Sequence, residues 1–474
     1  MQASRRLTVV LALLAGCGPL DAPEEPTGAT VSAQGEAPRP CGARSFLLRD
    51  IYRGLPGSEP MELTRGDRLL FFTADDGVSG RELWKSSGTG GPGTSRVRDI
   101  FPGSGSSTPT DLTMLDDEVF FAADDGARGR ELWKSDGTRD GTRRVKDIFP
   151  GATSSAPRDL LEFNGRIYFA ADDGAHGREV WRTDGTTHGT RLFVDLTPGE
   201  EAPGNGIDTS PRQLTRLNDE LFFFTAEEDI EANETLFRSD GTIGGTFALD
   251  NGPDAIQRLT PAWTLLFYIK NNEGEQTLKR TDGTPGGTVG LLFTGTTAPS
   301  ELTAVGPGRI FFRVGDGTEL WTSDGTEAGT VVVRDLGSTP RNLTALGGRL
   351  FFTAEDAANG RELWVSNGTA AGTVLFKDLV PGATSSSPEA LTVVAGVLFF
   401  SAETPGLGRE PWVSNGTPGG TVPLRGIARG PASSSPMDFI QSGWDVFFTA
   451  DDGTHGRELW ALPFRPGDAC DERR

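Results

Sequence analysis

From residue 45 onward the chain repeats one pattern nine times, and that self-similarity constrains the fold more than any single motif. The clearest copy runs from Asp111 to Pro150 as DLTMLDDEVFFAADDGARGRELWKSDGTRDGTRRVKDIFP. Aligned on the Trp of Glu-Leu-Trp, the copies fall at Trp84, Trp133, Trp181, Phe237, Lys279, Trp321, Trp364, Trp412 and Trp460, with spacings of 49, 48, 56, 42, 42, 43, 48 and 48 residues. Copies four and five are the most degenerate. They place Phe237 and Lys279 where Trp belongs, yet keep Ser239-Asp240-Gly241-Thr242 and Thr281-Asp282-Gly283-Thr284.

Each copy holds four strand-like runs separated by turn residues. In the second copy these are expected at Asp111–Leu115, Glu118–Ala123, Arg130–Ser135 and Thr142–Ile148. Leu115-Asp116-Asp117 and Phe163-Asn164-Gly165 are tight-turn sequences between first and second strands. A sheet with one wet face alternates apolar and polar residues, whereas a sheet covered on both faces reads as a continuous apolar run. Leu69-Leu70-Phe71-Phe72, Leu221-Phe222-Phe223-Phe224 and Val397-Leu398-Phe399-Phe400 are continuous, so each sheet must lie between two others. Four-stranded sheets at this period, packed face to face around an axis, make an all-β propeller of antiparallel blades. A solenoid coil would be shorter, and an immunoglobulin-like repeat would approach 100 residues.

The ends predict closure. Ser45–Ile51 matches the fourth strand of a copy, and the last copy stops after its third strand at Glu458-Leu459-Trp460. The amino-terminal strand would then complete the final blade, giving nine blades and no orphan edge.

Residues 1–16 read as a signal peptide: Arg5 and Arg6 precede an apolar run from Leu7 to Leu14 that is too short to span a bilayer. Leu14-Ala15-Gly16-Cys17 resembles the lipobox of bacterial lipoproteins, which implies cleavage before Cys17 and lipidation of that residue. Residues 17–40, rich in Pro, Ala and Glu, read as a flexible tether, 41–470 as the propeller and 471–474 as a tail. The remaining cysteines, Cys41 and Cys470, flank strands that closure makes neighbours, so a disulfide between them would latch the ring outside the cytoplasm. These readings place the mature protein at the cell envelope, in the outer membrane or on the cell surface, held to the membrane by lipid alone.

The recurring Glu-Leu-Trp-Lys-Ser-Asp-Gly-Thr resembles the bacterial ELWxxDGT repeat family of exported proteins, through residues 45 to 464. Departures occur at Phe237, Lys279 and Pro411, and at Asn367 and Asn415 where Asp is expected. The resemblance implies location and architecture and carries over no catalytic residue. The Ser-Asp-Gly-Thr turn is also similar to the Asp-box hairpin of sialidases, where Asp and Ser/Thr tie down a turn; here its recurrence makes the role structural.

With 66 acidic against 45 basic residues, the formal charge of -21 excludes nucleic acid as a natural partner. Three His and three Cys give little material for a zinc or thiolate centre. No phosphate loop, nucleophile elbow or paired-histidine zinc motif occurs, so no catalytic or cofactor-binding residue is assigned. The loop between second and third strands is the richest candidate. Asp75-Asp76, Asp124-Asp125, Asp172-Asp173 and Asp451-Asp452 recur there, on the rim expected to carry the Ser/Thr-rich connections between blades. Their oxygens are hard ligands suited to calcium, although the spacing is not that of an EF-hand. The competing expectation, which we favour, is that each carboxylate caps its own turn or pairs with the following Arg81, Arg130, Arg178 or Arg457. His176 and His455 share one loop position. Functionally, the sequence points to a non-catalytic scaffold binding a glycan or a protein. The alternative is a polysaccharide hydrolase or lyase with carboxylates on the central channel, for which Glu200–Asp208 and Glu227–Glu234 are the irregular segments.

Overall fold

The computed structural model describes residues 44–464, except 199, 203, 204, 207, 228–232, 253 and 254. Cys17, Cys41 and Cys470 lie outside the described residues, as do the segments expected to be a signal peptide and a tether. The chain forms nine four-stranded antiparallel sheets arranged as a β-propeller. Blades 1 to 8 each use four consecutive strands. Blade 9 consists of Met437–Ser442, Asp445–Asp451, Arg457–Pro463 and, as its fourth strand, Phe46–Leu47 from the chain's beginning. The first strands contact one another all the way round, with Met61–Arg65 of blade 1 against Met437–Ser442 of blade 9, so they line the axis and the ring is closed.

The continuous apolar runs supply both faces of each blade. At the junction of blades 1 and 2, Phe71 and Leu83 present one face while Val119, Phe121, Ala123 and Trp133 present the opposite face of the next sheet. Nine such core clusters occur among the described residues, one per junction. Phe72, Phe121, Phe224 and Phe352 are fully buried, each worth about 1.5–3 kcal/mol of apolar transfer.

Three local features depart from simple strands. Each first strand carries a bulge at its second or third residue, where Glu62, Asp111, Asp159, Gln213, Arg258, Glu301, Asn342, Ala390 and Asp438 adopt φ between 53° and 60°. The ladder slips there, as between Thr110 and Thr113. The expected fourth strand Thr142–Ile148 is reduced to Arg143–Arg144, because the N–H groups of Ile148 and Phe149 turn to the Glu131 carboxylate instead of a ladder. A small extra hairpin, Glu200–Ala202 with Asn205–Gly206, accounts for the longest spacing.

The closing seam repeats the chemistry of an ordinary junction. Phe46 faces Ala461 and Leu47 faces Trp460, Leu48 N donates to Leu459 O, and Glu59 N donates to Arg457 O. Gly57 sits at φ 89° with its Cα against Arg457 backbone, where a Cβ would collide.

Candidate functional site

The Glu of Arg-Glu-Leu-Trp follows a residue at the rim and points into the junction. In blade 1, Glu82 is fully buried and accepts from Ile100 N (3.0 Å), Phe101 N (3.2 Å), Ser107 N (3.1 Å) and Ser107 Oγ (2.7 Å). Glu131 does the same with Ile148, Phe149 and Ser155, Glu362 with Leu379 and Ser386, and Glu410 with Ile427, Ala428 and Ser434. Glu179 holds Leu196 N and Thr209 Oγ1. Glu458 closes the ring by accepting from Tyr52 N, Ser58 N and Ser58 Oγ. Burial outweighs these donors and pushes the carboxyls up, to about 8 for Glu179 and about 7 for Glu458. These perturbed acids sit inside structural joints that tie each connection to the next first strand. The Ser/Thr-rich loops therefore supply Ser107, Ser155 and Ser386 to buried glutamates.

The rim aspartates cap their turns. Asp75 Oδ1 accepts from Gly77 N at 2.7 Å, and Asp76 Oδ1 from Val78 and Ser79 N. Asp124 and Asp125, Asp172 and Asp173, and Asp451 and Asp452 repeat this arrangement. His176 Nδ1 and His455 Nδ1 each lie 2.8 Å from the second Asp of their loop. Among the described residues no group of three or more His, Cys, Asp or Glu is gathered as a metal centre. The following arginines reach carbonyls: Arg130 binds Thr108 O and Ala122 O, Arg178 binds Ala156 O, and Arg457 binds Ser435 O. Arg81 reaches Thr73 O.

The Ser-Asp-Gly-Thr turn is a closed hydrogen-bond unit. Asp136 Oδ1 accepts from Thr138 N and Oγ1, Ser135 Oγ meets Thr142 Oγ1, and Gly141 N donates to Thr138 Oγ1. Asn367 and Asn415 accept in the same way, so their carbonyl oxygen replaces the carboxylate without loss of geometry.

At the ends of the Glu227–Glu234 segment, the described carboxylates have local partners. Glu234 accepts from Arg212 Nε and Ile256 N, and Glu227 pairs with Arg212 at 3.0 Å. The axial bulges form the feature that sequence reasoning missed. Their side chains reach the next blade: Asp111 Oδ1 accepts from Asp159 N, Asp159 Oδ1 from Gln213 N, and Glu301 Oε2 from Leu343 N. Two residues on, Thr64, Thr113, Thr303 and Thr344 donate to the neighbouring first strand. The signal was present as the recurring Leu-Thr of ELT, DLT, QLT, RLT, ELT, NLT and ALT.

The axial ring is not uniform. Asp438, Glu62, Asp111 and Asp159 stand in four consecutive blades, 9, 1, 2 and 3, whereas blade 5 presents Arg258. Within this acidic arc, at the closing seam, lies a cavity of about 680 Å³ lined by Glu62, Asp438, Met61, Met437, Thr392 and Arg457, among others. Met61 and Met437 are exposed there. Asp159 is held above its ordinary range by burial, with the Asp111 charge adding to the shift.

No family model and no curated protein matches the chain. Among solved structures, the chain is similar to the computationally designed Ika8 protein (16% identity, 89% of this chain and 100% of that one, TM-score 0.44). It is also similar to a puromycin hydrolase (16%, 77% and 61%, TM-score 0.38) and to oligopeptidase B from Leishmania major (13%, 66% and 49%, TM-score 0.41). The chain spans about half to three fifths of the length of those two enzymes. At these identities the likeness is one of fold alone.

Proposed function

We propose that the protein is a non-catalytic β-propeller, exported as an ELWxxDGT-type repeat protein, anchored to the cell envelope by lipid at Cys17 and binding a glycan or a protein. One observation carries this reading: the strongly perturbed carboxylates of the repeat are consumed by structural joints, each holding the backbone of the following connection. The axial cavity at the seam is an accessible surface, with its acidic arc and exposed methionines. The test is a glycan array and an envelope-protein pull-down with the full-length protein, run beside a polysaccharide-degradation screen. Retention without product supports the binder, and chain cleavage sinks it.

A hydrolase or lyase reading is favoured by the adjacent axial carboxylates Asp111 and Asp159. It requires activity that Asp159→Asn abolishes. Lipidation requires that Cys17→Ala release the protein from membranes. The proposed latch requires that an unreduced digest yield Cys41 and Cys470 in one linked peptide.

A further inference from the structure

In a molecule made of nine similar units, accessible side chains that depart from their counterparts around a cavity are the place to look for a ligand. The sharpest such place lies off the axis, between blades 1 and 2. A cavity of about 380 Å³ there is lined by Arg98, Arg128, Arg144, Asp125, Trp133 and Ile100, among others. Arg98 follows the outer strand of blade 1, Arg128 sits in the Asp-Asp-Gly loop of blade 2, and Arg144 is in that blade's outer strand.

At the loop position of Arg128 the other Asp-Asp-Gly-type loops carry Ser79, His176, Asn359, Leu407 and His455. Opposite the Trp, where Arg144 faces Trp133, other blades carry Leu192, Ala248, Gly290, Val332 and Leu375, with Arg96 in blade 1 as the other arginine. Arg98 holds the position at which most blades carry a cation bonded to the next blade's Thr carbonyl, as Lys146 does with Thr190 and Arg334 with Thr373. Arg128 and Arg144 are the additions, and only at this junction do all three positions hold arginine.

Their existing contacts use one nitrogen of each fork. Arg98 NH1 donates to Thr142 O at 2.7 Å, Arg144 NH1 to Asp147 Oδ1 at 3.0 Å, and Arg128 NH1 lies 3.7 Å from Asp125 Oδ2. A guanidinium has five N–H donors in a planar fork matched to a carboxylate or sulfate, so donors remain. Trp133, 6% exposed, forms one wall of the cavity, as the blade tryptophans do at other junctions. The site thus sets three cations, one carboxylate, an indole and an aliphatic side chain around an open cavity with room for a sugar residue. In a chain of charge -21, long-range attraction of an anion is absent, so short-range contacts inside the Debye length of about 8 Å must do the recognising.

We propose that this cavity binds an oxyanion-bearing sugar residue, a uronate or a sulfated sugar of an acidic glycan. The inference rests on the binding reading above and names its ligand class. The test is calorimetric titration of the full-length protein with trigalacturonate and with a sulfated heparin tetrasaccharide. Maltotriose and inorganic sulfate are the controls. We expect binding of at least one acidic oligosaccharide, with both controls weaker by at least about tenfold. Arg128→Gln and Arg144→Gln should each weaken it by roughly tenfold while leaving the unfolding midpoint near that of the parent. Arg128 is more than half exposed, so its variant is expected to fold. Absence of binding, equal binding of maltotriose or sulfate, or indifference to both substitutions overturns the proposal. Should the protein instead retain a neutral glycan or a protein regardless of Arg128→Gln, the binding reading stands and this site falls.

Discussion

The junctions of the ring fall into two kinds, and spacing in the sequence separates them. Where successive repeats are 48 to 56 residues apart, a long connection wraps a buried glutamate, as at Glu82, Glu131, Glu179, Glu362 and Glu410. The seam at Glu458 is of the same kind. Where the spacing drops to 42 or 43, after Phe237, Lys279 and Trp321, the equivalent positions are Thr235, Thr277 and Glu319, and Glu319 accepts from its own Trp321 Nε1. The additional residues of the long form are the loop that brings donors to the carboxylate. Loop length and a buried glutamate two residues before the Trp position therefore change together, because a buried carboxylate without donors is too costly to keep.

The junction of blades 4 and 5 shows a second exchange. In regular junctions a cation from one blade sits over the next blade's Trp, as Lys146 does over Trp181 at 5.5 Å and Arg49 over Trp84 at 5.6 Å. Here Asp250 takes the cation's place and Lys279 the tryptophan's, 2.5 Å apart. Lys270 pairs with Asp250 at 2.7 Å and Tyr268 OH donates to it at 2.6 Å. The sign of the charge is reversed across the joint while its attraction is kept.

The largest effect expected is at a long joint. Glu131→Ala leaves the buried Ile148 and Ser155 donors without an acceptor and should cost about 3–5 kcal/mol in denaturant unfolding, whereas Glu319→Ala should cost less than about 1 kcal/mol. Equal costs would erase the distinction. Next, Asp250→Ala strands two partly buried lysines and should cost about 3 kcal/mol. The triple change Asp250→Leu, Lys270→Ala, Lys279→Trp replaces the buried charges of the joint with apolar contact and should recover all but about 1 kcal/mol. Failure of the triple variant to recover would show that the fifth blade is specialised in its backbone.

A smaller effect is pH dependence. The carboxyls of Glu179 and Glu458 have folded-state values of about 8 and about 7, above the ordinary 4.5. The folded state therefore binds protons more readily than the unfolded one. That contribution is fully present below about pH 4.5 and is lost as pH rises through 7 to 8. Thermal midpoints should fall from pH 5 to pH 9, and Glu179→Gln should flatten the decline; a rise across that range would contradict the assignment. The smallest effects belong to the rim and turns. Asp136→Ala should cost about 1 kcal/mol, and calcium or a chelator should leave the midpoint unchanged because the rim aspartates already cap their own turns. A calcium-induced rise in midpoint would instead assign those aspartates to metal.

Much of this was legible in the sequence. Paired apolar runs such as Phe71-Phe72 and the alternation at Leu132-Trp133 expose the two-faced sheets, and the unmatched Ser45–Ile51 segment locates the closing strand. What sequence concealed follows from physics that a linear pattern does not display. The burial of Glu131 depends on donors supplied by Ser155 from the following connection, which no local pattern around Arg130 displays. The compensation between Asp250 and Lys279 spans two blades, and each looks like decay until the two are brought together. The axial carboxylates hide in a short Leu-Thr motif whose left-handed bulge only the backbone reveals.

The central claim is that the chain's two ends form a ninth joint equivalent to the others, and peptide-resolved hydrogen exchange on the full-length protein tests it most directly. The account predicts that the amides of Leu48, Tyr52 and Ser58 exchange as slowly as those of Ile100 and Ser107 in the Glu82 joint. Exchange of residues 46–58 at the rate of an unstructured segment would contradict the closed ring.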